Sequence, residues 1–236
     1  GPARRFPPFV RQGDRYMPLL GVAAALAGGS FRPEEVVLEG DSIRVRDRSI
    51  PLVPVKVVDV KDPARTHDQQ TMLINYRAPA LVNGKRPYPS YDAAMLLKSQ
   101  SQLEVGEKPD IPPDVFKDKI VFVGIAFSGL VDVFQTPFGA GSMIGIQLHA
   151  SVADSILSNR FLRPARAWTA VAATAGAALV IGLMSATLPF WVAAAIAAAV
   201  VAGWTGAALY AFDRGLWLVM AQPILASAVA LFAGTA

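Results

Sequence analysis

The last third of this chain carries almost no charge, since only Asp213 and Arg214 are charged at neutral pH between Ala167 and Ala236. An α-helix rises about 1.5 Å per residue, so an apolar run of roughly 20 residues crosses a hydrocarbon core of about 30 Å. The uncharged stretch divides into three runs of this length: 167–188, 189–212 and 216–235. The sequence therefore predicts an all-α bundle of three transmembrane helices.

The ends of the three runs support this prediction. Aromatic side chains, which favour the membrane interface, stand close to them: Trp168, Phe190, Trp191, Tyr210, Phe212 and Trp217. The connections at 188–189 and 213–215 are so short that neighbouring helices must run antiparallel. In the third run, Gln222 and Pro223 predict a kink or a local polar contact.

Small residues recur at every fourth position of the second run, at Ala195, Ala199, Gly203 and Ala207. This pattern indicates either a smooth face for close helix packing or simply the abundance of small residues in this part of the chain.

Residues 1–166 have the composition of one ordinary globular domain. They hold all but one of the 22 Lys and Arg residues and all but one of the 18 Asp and Glu residues. The absence of cysteine excludes disulfides, thiol nucleophiles and Cys-ligated metals. Residues 1–6 lack the apolar core and cleavage site of a signal peptide, so we expect any targeting segment to be missing or never to have existed.

Helix-like and strand-like segments alternate along this domain. An Ala- and Leu-rich stretch followed by two glycines predicts a helix over 16–27. Apolar runs separated by turn residues predict strands. The strands are expected at 36–38 and 42–46, joined as a hairpin, at 50–60 as an edge or irregular strand, and at 72–76. A second helix is expected over 90–98, with Ser90 as its N-cap.

The strongest strand signal is the unbroken apolar run from Lys119 to Gly124, which is typical of a strand buried on both faces. A long loop over 125–144 follows, and then a helix over 145–159. The helix is expected to bury the face formed by Ile146, Ala150, Ala153 and Leu157. The alternation predicts an α/β domain with a mixed or mainly parallel sheet and flanking helices.

An ordered set of motifs makes the domain recognisable. It comprises Leu73-Ile74-Asn75-Tyr76-Arg77, the segment from Phe116 to Gly124, Asp132 with Thr136-Pro137, Gly145-Ile146-Gln147-Leu148-His149-Ala150, and Ile156-Leu157 with Phe161-Leu162. In order and spacing these motifs resemble the second type of CHASE domain, a sensory extracellular domain associated with cyclases and histidine kinases. The resemblance covers roughly residues 1–165, and the family pattern commonly continues into three membrane spans. It implies that the chain is the carboxyl-terminal part of a larger receptor.

The resemblance also implies a function. The chain is expected to be the extracytoplasmic sensory input and multi-pass anchor of a bacterial receptor in the inner (plasma) membrane. The implied output is most often an adenylate or guanylate cyclase, with a kinase or a diguanylate cyclase as alternatives. Expected partners are membrane lipid, a second copy of the chain in a homodimer, and an unidentified small-molecule or protein stimulus. A rival hypothesis is a non-signalling subunit or scaffold whose soluble domain binds a partner protein.

The residues themselves argue against catalysis in this chain. The two histidines, His67 and His149, have no metal-ligand spacing, and no hydrolase or metalloprotease motif occurs. The segment from Gly124 to Leu130 has the glycines of a phosphate-binding loop but leucine where lysine is required. We therefore predict no catalytic residue, metal, cofactor or nucleic-acid partner.

Ligand contact is predicted in the loop after Val123, because ligands of open α/β sheets collect beyond the carboxyl ends of strands. The polar members of this loop are Ser128, Asp132 and Thr136. Asp132 and Thr136 could instead hydrogen-bond to the loop backbone and order it. His149 is expected to be a hydrogen-bonded structural residue, with a pH sensor as the alternative.

The segment 160–166 is the predicted signal junction between the domain and the first span. Phe161 and Leu162 are expected to pack, and Pro164 to stiffen the turn. Arg160, Arg163 and Arg166 would by the positive-inside tendency place the domain in the cytoplasm. The resemblance implies the opposite side, and we adopt the extracytoplasmic orientation as the prediction.

Overall fold

The computed structural model describes residues 3–58, 62, 65–125, 133–138 and 142–234. It contains two compact units, Gly1–Phe161 and Leu162–Ala236. The first unit combines helices and small sheets, and the second is built almost wholly from apolar helices. The predicted combination of a mixed domain and apolar carboxyl-terminal helices is therefore confirmed at this level.

The first unit contains ten described strands and three α-helices. The strands are β1 (Arg5–Phe6), β2 (Phe9–Gln12), β3 (Arg15–Pro18), β4 (Val36–Glu39), β5 (Ser42–Val45), β6 (Arg48–Pro51), β7 (Val53–Val58), β8 (Thr66–Leu73), β9 (Val133–Gln135) and β10 (Ser142–Ile144). The helices are α1 (Leu20–Gly28), α2 (Ala93–Glu104) and α3 (Gly145–Leu157). Single 3-10 turns occur at Pro33–Glu35 and Pro113–Phe116.

The strand pairs described in this unit are antiparallel, which differs from the predicted mixed or mainly parallel sheet. They form the sheets β1-β8-β7 and β4-β5-β6 and the pairs β2-β3 and β9-β10. For β2–β3, β4–β5 and β5–β6 the cause is local, because short turns can join only antiparallel strands, whereas β1 pairs with β8 across a long intervening stretch of chain. The predicted hairpin β4–β5 is confirmed, and Gly40 occupies its turn with φ of 55°.

The core lies where α1 packs against α3. Val22 and Ala25 of α1 and Val152 and Ile156 of α3 are buried. The buried stripe of α3 is rotated from the predicted one, of which only Ala153 is fully buried. Ser151 and Ser155 disguise the stripe in the sequence, because their hydroxyls donate to carbonyls of the same helix, Gln147 O at 2.9 Å and Ser151 O at 2.8 Å.

Two helix starts differ from prediction. The helix predicted from Tyr16 begins at Leu20, because Arg15–Pro18 pairs with Phe9–Gln12 in a hairpin whose turn contains Gly13 at φ of 61°. The helix predicted from Ser90 begins at Ala93. The Ser90 hydroxyl donates instead to Tyr88 O at 3.1 Å, within the preceding turn.

The segment from Lys119 to Gly124 is not the buried central strand that its apolar run predicts. It is extended without a described strand partner, and Val121, Val123 and Ile125 are 54%, 91% and 65% exposed. Of the alternate residues, Phe122 packs on the core, and Ile120 contacts Gly28 although it is 38% exposed. The apolar run predicts burial on both faces, but only one face of this segment is covered in the described part of the fold.

This one-sided packing gives a stability prediction. Val121→Asp is expected to change the free energy of unfolding by no more than about 0.5 kcal/mol, because the side chain is exposed, whereas Phe122→Ala is expected to cost about 3 kcal/mol. Pulse proteolysis of the two variants in a urea series measures the difference. Equal destabilisation by both variants would show that the outer face is buried as well.

The second unit contains two helices that are long and apolar enough to cross a membrane, α4 (Ala167–Thr187) and α5 (Phe190–Asp213). These correspond closely to the first two predicted runs. The third run forms only a 13-residue helix, α6 (Ala221–Ala233), so a third transmembrane helix over 216–235 is not confirmed. Pro223 lies in the first turn of α6, where its missing N–H costs nothing, and so marks a helix start instead of a kink.

The residues before α6 form a short strand, β12 (Leu216–Trp217), which pairs in parallel with β11 (Arg163–Pro164). Arg163 N donates to Gly215 O at 2.8 Å, and Ala165 N donates to Trp217 O at 2.9 Å. The antiparallel α4–α5 hairpin accounts for this pairing, because it returns the end of α5 to the beginning of α4. The α4 and α6 helices are also in contact, and the Ser185 hydroxyl donates to Ala230 O at 3.3 Å.

Candidate functional site

Of the three predicted ligand residues, Thr136 lies between β9 and β10 and is described by the structure. Ser128 and Asp132 fall outside the described residues. Thr136 directly follows β9 and is only 4% exposed, and its hydroxyl has no hydrogen-bond partner among the described residues. Its role in ligand contact or in ordering the loop stays a prediction.

Gln147 is a second buried polar residue, which sequence reasoning passed over. It lies in the first turns of α3, and its Nε2 has no hydrogen-bond partner within the described part of the chain. Burying an unpaired amide costs free energy, so Gln147 is, like Thr136, a candidate for polar contact at this site. The signal in the sequence was a glutamine among apolar residues on the buried face.

Hydrogen bonds and ring contacts fix the frame around Thr136. Ala3 N donates to Gln135 O at 2.7 Å, and the Tyr76 hydroxyl donates to Ala3 O at 2.6 Å. Burial raises the pKa of Tyr76 to about 12, so this hydroxyl stays protonated and remains a donor. The Tyr76 ring also meets Phe138 edge-on, with centroids 6.2 Å apart. The chain on either side of Thr136 is therefore anchored.

His149 of α3 connects this helix to α1 and β1. Its Nδ1 accepts a hydrogen bond from Gly21 N of α1 at 3.2 Å, and its ring meets Phe6 edge-on with centroids 5.5 Å apart. Burial lowers the pKa of His149, so the neutral imidazole is favoured. This geometry agrees with the expected hydrogen-bonded structural histidine.

The carboxyl-terminal end of α3 is held by cations, as its helix dipole favours. Arg48 Nη1 donates to Ile156 O at 2.7 Å. Asp154 forms ion pairs with Arg160, at 3.5 Å, and with Arg77, at 4.0 Å. These contacts join the end of α3 to the start of the predicted junction within the first unit.

The junction residues fall on both sides of the division between the units. Phe161 is partly buried against the core of the first unit. Leu162 is buried and opens the second unit, and Pro164 belongs to β11. Their role in signal transmission stays a prediction, but Pro164 now has a structural setting that the sequence did not reveal.

Two further features bear on chemistry. Within the described ranges, no group of three His, Cys, Asp or Glu residues is placed to hold a metal ion. A cleft of about 320 Å³ lies among α4, α5 and α6, lined by apolar side chains and by Trp204 and Ser227. Both polar groups are already engaged, because Trp204 donates to Val219 O and Ser227 to Pro223 O. Both donor protons are therefore occupied, and only the Ser227 oxygen keeps acceptor capacity towards the cleft.

Comparison with known proteins identifies the family. The chain matches the CHASE2 domain family over residues 1–189, which is most of its length, and it belongs to that family. CHASE2 domains are extracellular sensory domains of signalling receptors. Neither the curated proteins nor the solved structures provide a match.

Proposed function

We propose that this chain is the extracytoplasmic sensory input and inner-membrane anchor of a bacterial receptor whose output is an adenylate or guanylate cyclase. The observation that carries the proposal is the extent of the family match. It continues without interruption from the sensory unit through all of α4. The sensory fold and the first membrane-length helix thus belong to one family pattern, as expected for a module that converts an external stimulus into a change in the membrane.

The packing of α3 supports this role. The helix is buried along one face, its amino-terminal half contacts α1 through His149, and its carboxyl-terminal end is fixed by Arg48 and Asp154. Only residues 158–166 separate it in sequence from α4. In the proposed receptor, a shift of α3 is passed through this short segment to the anchor.

The proposed anchor has three crossings, although only two helices are of full length. The 13 residues of α6 span about 20 Å, and residues 216–219, before the helical N-cap Met220, would add roughly 13 Å in an extended form. Extended backbone is costly in lipid unless it is hydrogen-bonded, and the β11–β12 pairing supplies such bonds at 216–217. The third crossing is therefore proposed as an extended interfacial start followed by a helix.

A homodimer is part of the proposal. The small-residue stripe of α5 is exposed in the single chain, and an added Cβ at Gly203 meets no atom within 4 Å. Such a face allows another helix to approach closely. The stimulus is proposed to be a small molecule or a protein acting on the first unit, and membrane lipid surrounds the second.

The orientation of the first unit tests the extracytoplasmic part of this proposal. The chain has no cysteine, and the Asp14 side chain at the β2–β3 turn is fully exposed. In the full-length protein, Asp14→Cys is expected to react with an impermeant thiol reagent on spheroplasts, because the unit lies outside the cytoplasm. Labelling is read on a gel after mass-tag addition.

Leu188→Cys is the matched control for that experiment. Leu188 lies in the turn between α4 and α5, on the opposite side of the proposed anchor, and should react only after lysis. The reverse pattern, with Leu188→Cys labelled on intact spheroplasts and Asp14→Cys protected, contradicts the extracytoplasmic orientation and with it the proposed sensory function.

A further inference from the structure

The first turn of α1 has no cap of its own. Leu19 occupies the N-cap position and offers no side-chain acceptor. The early N–H groups of a helix lack intrahelical partners and need an acceptor from elsewhere. For Gly21, that acceptor is Nδ1 of His149 on α3, at 3.2 Å. His149 thus caps α1 from a different helix.

The contact depends on close approach of the two helices. A Cβ placed on Gly21 would lie 2.7 Å from His149 O and 3.0 Å from the Val152 Cβ. The imidazole is also confined by the Phe6 ring, whose plane is inclined at 88° to it. The backbones of α1 and α3 are therefore in close contact at the position of this hydrogen bond.

The hydrogen bond exists only while Nδ1 is unprotonated. A proton on Nδ1 would turn it from an acceptor into a donor. The Nδ1–H group of His149 would then face the N–H group of Gly21, and no hydrogen bond could form. The resulting positive charge would also face the amino terminus of α1, the positive end of the helix dipole. Both effects act against the α1–α3 contact, and burial of the ring acts in the same direction.

No charged group among the described residues compensates an imidazolium at this place. α1, β9 and β10 contain no ionisable side chain. On β1, the Arg5 guanidinium donates to Pro54 O, and Arg4, next to it, is exposed. Lys119, at the start of the segment that covers α3, is exposed and cationic. The carboxylate of Asp154, further along α3, is paired with Arg77 and Arg160.

We propose that His149 is a pH-sensitive latch: its protonation breaks the cap on Gly21 and releases α1 from α3. The latch is a property of this chain, and only its use as a sensory input rests on the proposed function. His149 has a lowered pKa in the latched state, and an exposed imidazole titrates near 6.5. The contact is therefore complete above pH of about 6.5 and is lost as pH falls through the lower pKa of the latched state.

The test uses the 236-residue chain in detergent micelles. With ¹³C-labelled histidine, NMR follows only two imidazoles, and His67→Gln, on the exposed part of β8, assigns the signals. Hydrogen exchange of residues 20–28 is measured from pH 8 to pH 5 and corrected for the intrinsic pH dependence. We expect exchange of α1 to accelerate as His149 titrates, by about tenfold for each unit of difference between its released and latched pKa values.

His149→Gln separates the latch from general acid sensitivity. Glutamine keeps an acceptor oxygen for Gly21 N but does not titrate, so α1 exchange should lose its dependence on pH, while His67→Gln should retain it. An unchanged pH dependence in His149→Gln overturns the proposal. If that variant does not fold, the wild-type chain decides: titration of His149 without faster α1 exchange overturns the latch. Either failure leaves the orientation experiment, and with it the proposed function, unaffected.

Discussion

Replacing Gly21 by alanine is expected to destabilise the first unit by about 1–3 kcal/mol, and Gly21→Leu by more, because either side chain enters space filled by α3. The sign is informative, since Gly→Ala within a helix ordinarily stabilises by about 0.5–1 kcal/mol. Here the new Cβ meets a backbone carbonyl, His149 O, which cannot turn aside as a flexible side chain would. Separation of the helices also breaks the hydrogen bond to His149 Nδ1.

The measurement is the urea dependence of pulse proteolysis for the chain in micelles. Ala27→Leu is the matched control, because Ala27 lies on the exposed side of α1 and its replacement should change the free energy of unfolding by less than about 0.5 kcal/mol. A Gly21→Ala variant that is as stable as the wild-type chain or more stable would show that α1 and α3 are not in close contact.

Insertion of a flexible Gly-Ser stretch after Arg163 is expected to abolish communication between the two units of the full-length receptor. The insertion lengthens the junction and interrupts the β11–β12 pairing, which holds Arg163 to Gly215. Gly21→Ala serves as a defined perturbation of the sensory unit, so the experiment needs no known stimulus. In the receptor without the insertion, a coupling of about 1–3 kcal/mol between the units lets Gly21→Ala change cyclic-nucleotide output roughly 5- to 150-fold. In the receptor with the insertion, Gly21→Ala is expected to leave the output unchanged.

The control is the same insertion between Gly13 and Asp14, at the exposed tip of the β2–β3 hairpin. This variant should respond to Gly21→Ala as the uninserted receptor does. If the variant with the junction insertion also responds with full amplitude, residues 160–166 are not the route. If the full-length protein produces neither cyclic AMP nor cyclic GMP, the output assignment is wrong and the scaffold hypothesis gains.

The membrane-length helices could be predicted closely because their signal is compositional. Runs that exclude charge end at interfacial aromatics, and α4 and α5 begin and end within one or two residues of the predicted limits. The same criterion, apolar composition, predicted a full-length third helix that is not observed, because hydropathy does not distinguish a helix from extended backbone. The sequence predicts a kink or a polar contact at Gln222 and Pro223, whereas Pro223 fits the first turn of α6.

The sheet arrangement was harder to predict because strand pairing is not encoded locally. The run from Lys119 to Gly124 has the composition of a buried strand, but burial on both faces requires partners on both sides, and the described chain covers only the side of Ile120 and Phe122. Hairpin β4–β5, whose short turn fixes its partner, was predicted correctly.

The candidate site was predictable only in part. A polar loop after a strand pointed to Thr136, but the composition could not show that its hydroxyl would be buried. His149 was predicted as a hydrogen-bonded residue from its apolar neighbours. Its partner, Gly21 N, could not be foreseen, because the donor is backbone and lies 128 positions away.

The β11–β12 pair has a mechanical consequence for the anchor. Hydrogen bonds from Arg163 and Ala165 to the 215–217 segment close α4 and α5 into a loop fastened at its base. Displacement of α4 alone along its axis would break these hydrogen bonds, whereas rotation of α4 and α5 together as one body would keep them. In the proposed anchor, this pairing favours rotation of α4 and α5 as one body over a piston-like displacement of α4 alone.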